Sequence, residues 1–188
     1  MDHIKNIADL LVKTGLQRKS GNIIYSGYET LQKGDYYFLG MNPGGHIDDR
    51  IPEEDQIITK LIAKKDYPQE NEYFDGIWGN ERLPGVHHHQ VNIQNFFECL
   101  EIDLRAVFST NLCFQRSPGK SKYPGGNKQM DADITKFWPI HEYILSVVQP
   151  KVIICNGADA RDFFKKMIKP RNIETKDLPE KWRGLFQK

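Results

Sequence analysis

The sequence predicts an α/β domain, built as a three-layer α/β/α sandwich around a central, mainly parallel sheet. Three observations predict it: short uninterrupted apolar runs, amphipathic stretches alternating with them, and polar or glycine-bearing residues where each run stops. Strands buried on both faces need no polar alternation, so such runs suit a parallel sheet covered by helices. The 188 residues fit one domain spanning 1–188, with no repeat and no low-complexity tract. With 39% hydrophobic and 11% aromatic residues, the chain carries enough apolar surface for a core, which argues against disorder.

The elements follow in chain order. Residues 3–14 set Ile4, Ile7, Ala8, Leu10 and Leu11 on one helical face, ending near Gly15. Residues 35–40 read as a buried strand, launched by Lys33-Gly34 and stopped by Asn42-Pro43-Gly44-Gly45. Residues 53–64 form an amphipathic helix with Ile57, Ile58, Leu61 and Ile62 as its stripe. Residues 66–86 mix Pro, Gly, Asn and aromatics without period and read as loop. A helix over 90–100 buries Val91, Ile93, Phe96, Phe97 and Leu100. Residues 105–110 and 151–155 are the second and third strands, the latter preceded by a helix carrying Ile140, Ile144, Leu145 and Val148. Residues 157–167 close the pattern as a helix.

Charge and cysteine usage narrow the classes. The 26 basic and 25 acidic residues leave a formal net charge of +1, which argues against a histone-like binder while allowing a local basic face. Cys99, Cys113 and Cys155 share no CxxC spacing, so a disulfide framework or structural zinc cluster is not expected. The first fifteen residues are too acidic and polar for a signal peptide, and no apolar run approaches the ~18 residues of a membrane span. A cytoplasmic protein without membrane contact is the expectation.

Ligands in a parallel α/β sheet bind beyond the carboxyl ends of the strands. Three strand exits converge there in the predicted fold: Gly40-Met41-Asn42-Pro43-Gly44-Gly45, Thr110-Asn111-Leu112-Cys113 and Asn156-Gly157. Each Asn alone is what a turn would use; three at one edge suggest a site. Gly44 and Gly45 leave backbone N–H groups open to an anion, and Pro43 stiffens the turn. An amide at Asn111 offers one acceptor beside a donor pair.

The first of these segments resembles the first motif of the uracil-DNA glycosylase superfamily, in the Gly-Met-Asn-Pro-Gly form of its single-strand-selective branch, with a close variant in the mismatch-specific branch. VFSTNLCF is similar to the family strand that ends in a uracil-reading Asn, and PKVIICNGADA to its strand-Gly-x-x-Ala segment. The resemblance spans roughly residues 35–165 in the family's order. It implies that Asn42 is catalytic and positions a water against the sugar C1′. It further implies that Gly40, Met41, Pro43, Gly44, Gly45, Asn111, Phe74 and Asn156 bind substrate, without cofactor or metal. A side-chain amide holds a water but cannot take a full proton, so bond breakage would run ahead of attack. Residues 169–188 contain no His-Pro-Ser or Asn-Pro-Ser, the family's last motif.

A flipped base needs an aromatic platform, and Tyr73, Phe74 and Trp78 are candidates; the alternative is that they pin a long loop to the core. Residues 114–128 carry Arg116, Lys120, Lys122 and Lys128 with no acid, a mobile basic loop suited to DNA phosphates. Residues 161–188 carry a second basic excess, whereas Asp48, Asp49, Glu53, Glu54 and Asp55 make an acidic stretch after the first motif. Those acids read as a helix N-terminus favoured by the dipole, or as a face that repels DNA. His87-His88-His89 reads as a surface loop or helix start rather than a zinc site, since adjacent side chains diverge. His141 reads as a core histidine, and His46 as a candidate substitute for the missing motif histidine.

The function expected is a DNA glycosylase that excises uracil or a related base, a monomer whose partner is uracil-containing or damaged DNA. The alternative is a catalytically inactive glycosylase-fold protein that binds a nucleotide, nucleic acid or protein. A small-molecule α/β enzyme ranks last, since no GxGxxG or GxxxxGK[ST] occurs.

Overall fold

The computed structural model describes residues 2–47 and 50–168. Its helices surround a three-stranded, wholly parallel sheet of order β2-β1-β3, which places the chain in the α/β class. Strand β1 (Tyr36–Gly40) is central, β2 (Phe108–Asn111) and β3 (Val152–Cys155) its flanks. Alternate residues of β1 feed two apolar clusters: Tyr37 and Leu39 enter one, Phe38 the other. Both sides of the central strand are therefore apolar, which is why YYFLG lacks a polar period.

Helix α1 (His3–Thr14) starts where Asp2 accepts the Lys5 N–H and ends at Gly15, whose left-handed backbone closes the last turn. Its Ile4, Ile7 and Leu11 are buried, as the spacing predicts. Helix α2 (Ile57–Ala63) begins at the first residue of its apolar stripe rather than at residue 53, because Glu53–Asp55 form a separate 3-10 turn and Gln56 is extended. Helix α3 (His88–Cys99) begins two residues early, since His87 and Gln90 exchange the hydrogen bonds of a capping box. The histidine run is thus a helix start. Among the described residues no group of three or more His, Cys, Asp or Glu is disposed to hold a metal.

Strand β2 is shorter than the sequence suggests, because Leu104–Ala106 form a 3-10 turn and pairing starts at Phe108. The largest difference lies in α4 (Gly126–Val148), which runs 23 residues and absorbs the end of the predicted basic loop. Lys120–Lys122 form a 3-10 turn just before it, so the segment has regular structure. Helix α5 (Ala158–Met167) follows β3. The larger cluster joins residues of α1, α2, α4 and α5, and the smaller one joins α3 and the 64–87 loop.

Residues 20–27, all buried, lie along the outer edge of β2. Tyr25 N–H donates to Ser109 O at 2.9 Å, Asn22 N–H to Phe114 O at 3.0 Å, and Thr110 Oγ1 to Ile23 O at 2.6 Å. A Cβ on Gly21 would stand 1.8 Å from Phe114 O, so only glycine allows that approach. The edge is covered without a fourth strand. Among the described residues no helix is long and apolar enough to cross a membrane.

Candidate functional site

Parallel pairing brings the strand exits to one edge. Gly40 stands opposite Asn111 in register, and the ladder runs on past both: Leu112 N–H donates to Gly40 O and Cys113 N–H to Met41 O. On the other side Asn156 N–H donates to Leu39 O at 2.8 Å. Gly40, Met41, Asn42, Asn111 and Asn156 thus share the carboxyl end of the sheet.

Asn42 is half-buried, and its amide is oriented by chemistry. Nδ2 donates to Pro43 O at 2.8 Å and to Ser117 O at 3.0 Å, with Ser117 Oγ at 3.1 Å. Carbonyl oxygens only accept, so the NH2 end must face them. Oδ1 is then turned away and has no partner among the described residues. The same holds for the backbone N–H groups of Asn42, Gly44 and Gly45. Pro43 O accepts the Ser117 N–H at 2.9 Å, which fastens the turn from the other side.

Asn111 is only 7% exposed, yet its amide meets a single described side-chain partner, the Tyr25 hydroxyl. A Cβ on Gly40 would sit 2.1 Å from Asn111 Oδ1, so the amide lies directly over that glycine. Burial pushes the Tyr25 phenol well up and Glu72 adds to this, against Arg116 and the hydrogen bond from Asn111. Tyr25 is therefore neutral at physiological pH. Its ring packs on Tyr73 at 6.0 Å and edge-on to Trp78 at 6.1 Å. Glu72 accepts from Asn22 Nδ2 at 3.0 Å and Trp78 Nε1 at 3.3 Å behind them.

Tyr73 and Trp78 thus reach the aromatic wall beside Asn111 through Tyr25, and Phe74 does not. The Arg105 guanidinium covers the Phe74 ring at 4.5 Å from its centroid, and Arg105 lies ahead of β2, toward the other end of the sheet. The alternative reading of the loop, that it is pinned to the core, is what the hydrogen bonds show. Gln90 Nε2 donates to the Glu72 and Gly76 carbonyls and Gln94 Nε2 to those of Tyr73 and Gly85, so α3 pins the loop down.

The basic residues separate. Lys122 and Lys128 are exposed, without an ion-pair partner among the described residues, and Lys120 Nζ lies 3.9 Å from Asp159 Oδ2. Arg116 is instead turned inward: Nη1 donates to Gly44 O at 2.6 Å, Nε to Ser20 Oγ at 3.2 Å, and Nη2 lies 3.6 Å from Asp55 Oδ1. Asp55 also accepts from Ser20 Oγ and Lys60 Nζ. Burial alone would raise this carboxyl, but the Lys60 and Ser20 hydrogen bonds, with the Lys60 and Arg116 charges, hold it below the ordinary range. Glu53 and Glu54 are exposed; Asp48, Asp49 and residues 169–188 lie outside the described residues.

His46 is exposed and has no hydrogen bond or ion pair among the described residues. Residue patterning singled out neither Tyr25 nor Ser117. Tyr25 sits in an apolar run and Ser117 in a polar loop, and only the fold brings them to Asn111 and Asn42.

No protein-family profile matches the chain, and no curated protein matches it.

Proposed function

We propose that this protein is a DNA glycosylase that hydrolyses the N-glycosyl bond of uracil or a related base. The reading takes the fold as a three-layer α/β/α sandwich of the uracil-DNA glycosylase type, supported by the two apolar clusters that β1 feeds. One observation carries it: at adjacent strand ends, Asn42 keeps an oriented, unpartnered Oδ1, beside an Asn111 amide that is buried yet almost unpaired. A buried amide ordinarily finds partners, and one aimed at a strand-end edge is suited to a ligand's hydrogen-bonding pattern.

In this mechanism the base leaves the stack and enters against Asn111, whose Oδ1 accepts from uracil N3–H while Nδ2 donates to O4. The C1′–N bond breaks, the base departs with the bonding electron pair, and the sugar becomes oxocarbenium-like. The N–H groups of Asn42, Gly44 and Gly45 are free to donate to the departing anion. Asn42 Oδ1 holds a water that adds to C1′. Its oxygen ends on the sugar, and one proton goes to the released base. Lys122 and Lys128 would grip backbone phosphates beside the site.

The test is uracil release from single- and double-stranded oligonucleotides. Wild type is expected to act on at least the single strand, and Asn42→Ala to lower the rate about a hundredfold or more. The alternative, an inactive relative that binds nucleic acid, a nucleotide or a protein, is favoured by one feature: among the described residues no titratable side chain hydrogen-bonds Asn42. DNA binding without base release from either substrate would establish that alternative and end the enzymatic reading.

A further inference from the structure

Arg116 sits in a run of basic residues, and a DNA-binding protein would be expected to use it on phosphates. Its geometry says otherwise. The guanidinium joins three segments far apart in sequence: the Gly44 carbonyl of the strand-exit loop, Ser20 of the edge-covering segment, and Asp55 of the turn before α2. The planar fork suits this, since its N–H groups point in fixed, divergent directions that a lysine cannot reproduce.

The loop it holds has little else to hold it. Gly45 adopts a left-handed φ of +100°, and a Cβ there would lie 3.2 Å from Arg116 Nη1. Glycine therefore lets the loop fold back over the guanidinium. Next along the chain, Ser117 takes the Asn42 amide on its carbonyl and hydroxyl oxygens and gives its N–H to Pro43 O. Residues 116 and 117 together fix the carbonyls of Pro43 and Gly44. That leaves the N–H groups of Gly44 and Gly45, and Asn42 Oδ1, without a partner among the described residues. Loss of the guanidinium frees Gly44 O to rotate and takes the neighbouring N–H groups with it.

We propose that Arg116, seated on Asp55, is a positioning residue that sets the strand-exit loop for reaction and makes no phosphate contact. The inference rests on the glycosylase reading and names a part of its machinery.

The test compares Arg116→Ala, Arg116→Lys and Asp55→Asn in single-turnover uracil release and in binding of a uracil-containing single strand across salt concentrations. Arg116→Ala is expected to lower the rate at saturating DNA tenfold or more, with KM changed less than twofold. The slope of log affinity against log salt should stay that of wild type. Arg116→Lys should recover part of the rate, because an ammonium still reaches Gly44 O. Should Arg116→Ala not fold, Asp55→Asn carries the same test: it loosens the guanidinium's seat and is expected to lower the rate without weakening substrate binding. A normal rate together with a slope smaller by about 0.7 marks a phosphate contact and overturns the inference while the glycosylase reading stands. A wild type inert on every uracil substrate overturns both.

Discussion

Gly40 and Asn111 face each other at the end of the β1–β2 ladder, and the amide occupies the space a Cβ would take. Gly40→Ala is therefore expected to push aside the Asn111 side-chain tip, with little effect on melting temperature and a clear loss of base release. Equal losses in both would make Gly40 a packing residue only. Asn111→Asp removes the donor for O4 and leaves acceptors alone, so uracil excision should fall by about ten- to a hundredfold in competition with other bases. An unchanged substrate profile would take Asn111 out of the pocket. At this scale the site was half legible. Asn42 and Asn111 stand where short apolar runs end, and sequence order marks such places. Tyr25 meets Asn111 only because residues 20–27 fold against β2, and no local pattern announces that. Arg116 is a related case: its charge is visible in sequence, and its partners Gly44, Ser20 and Asp55 are not.

At the scale of elements, the strands were readable because each is a compact apolar run, and most helices because their stripes are regular. Helix α4 runs well ahead of the apolar stripe that marks it in sequence. Gly125 and Gly126 look like a turn, and Pro139 looks like a breaker. In the fold Gly125 is the left-handed N-cap, and exposed Pro139 forgoes one hydrogen bond, to Thr135 O, on the solvent side. Met130, Ile134, Phe137 and Ile144 secure the inner face. His141 shares that face, with Nε2 3.0 Å from Leu112 O and its ring 4.8 Å from that of Phe114. Burial pushes its pKa down to about 4, so the folded protein keeps it neutral. Well above pH 6.5 neither state is charged and His141 exerts no pH effect. As pH falls from 6.5 toward 4 the unfolded chain binds a proton that the folded one refuses, which costs about 2 kcal/mol by pH 5. Denaturant unfolding at pH 7 and 5 should show this difference in wild type, and His141→Phe should reduce it. An unaltered pH slope in the variant would place the acid sensitivity elsewhere.

For the whole molecule, near-neutral charge conceals a division of labour. Acids such as Asp55 and Asp75 are paired with Arg116 and Arg105, whereas Lys122, before α4, and Lys128, in its first turn, have no ion-pair partner among the described residues. Reversing both lysines to Glu should weaken single-strand DNA binding strongly at low salt and hardly at all near 1 M. Salt-independent weakening would mean that these residues act through the fold. The α/β class was legible throughout, because alternation of elements is a property of the whole chain. The aromatic wall was legible only in part: Tyr73 and Trp78 stand out in their loop, whereas Tyr25 joins them from a segment that sequence order keeps apart. Residues 20–27 have one more consequence. They bring Tyr25 beside Asn111 and at the same time cover the backbone of β2. A chain that loses its hold on this segment exposes the Asn111 amide and bares an adhesive strand margin in a single event. If the glycosylase reading holds, inactivation and self-association share one cause.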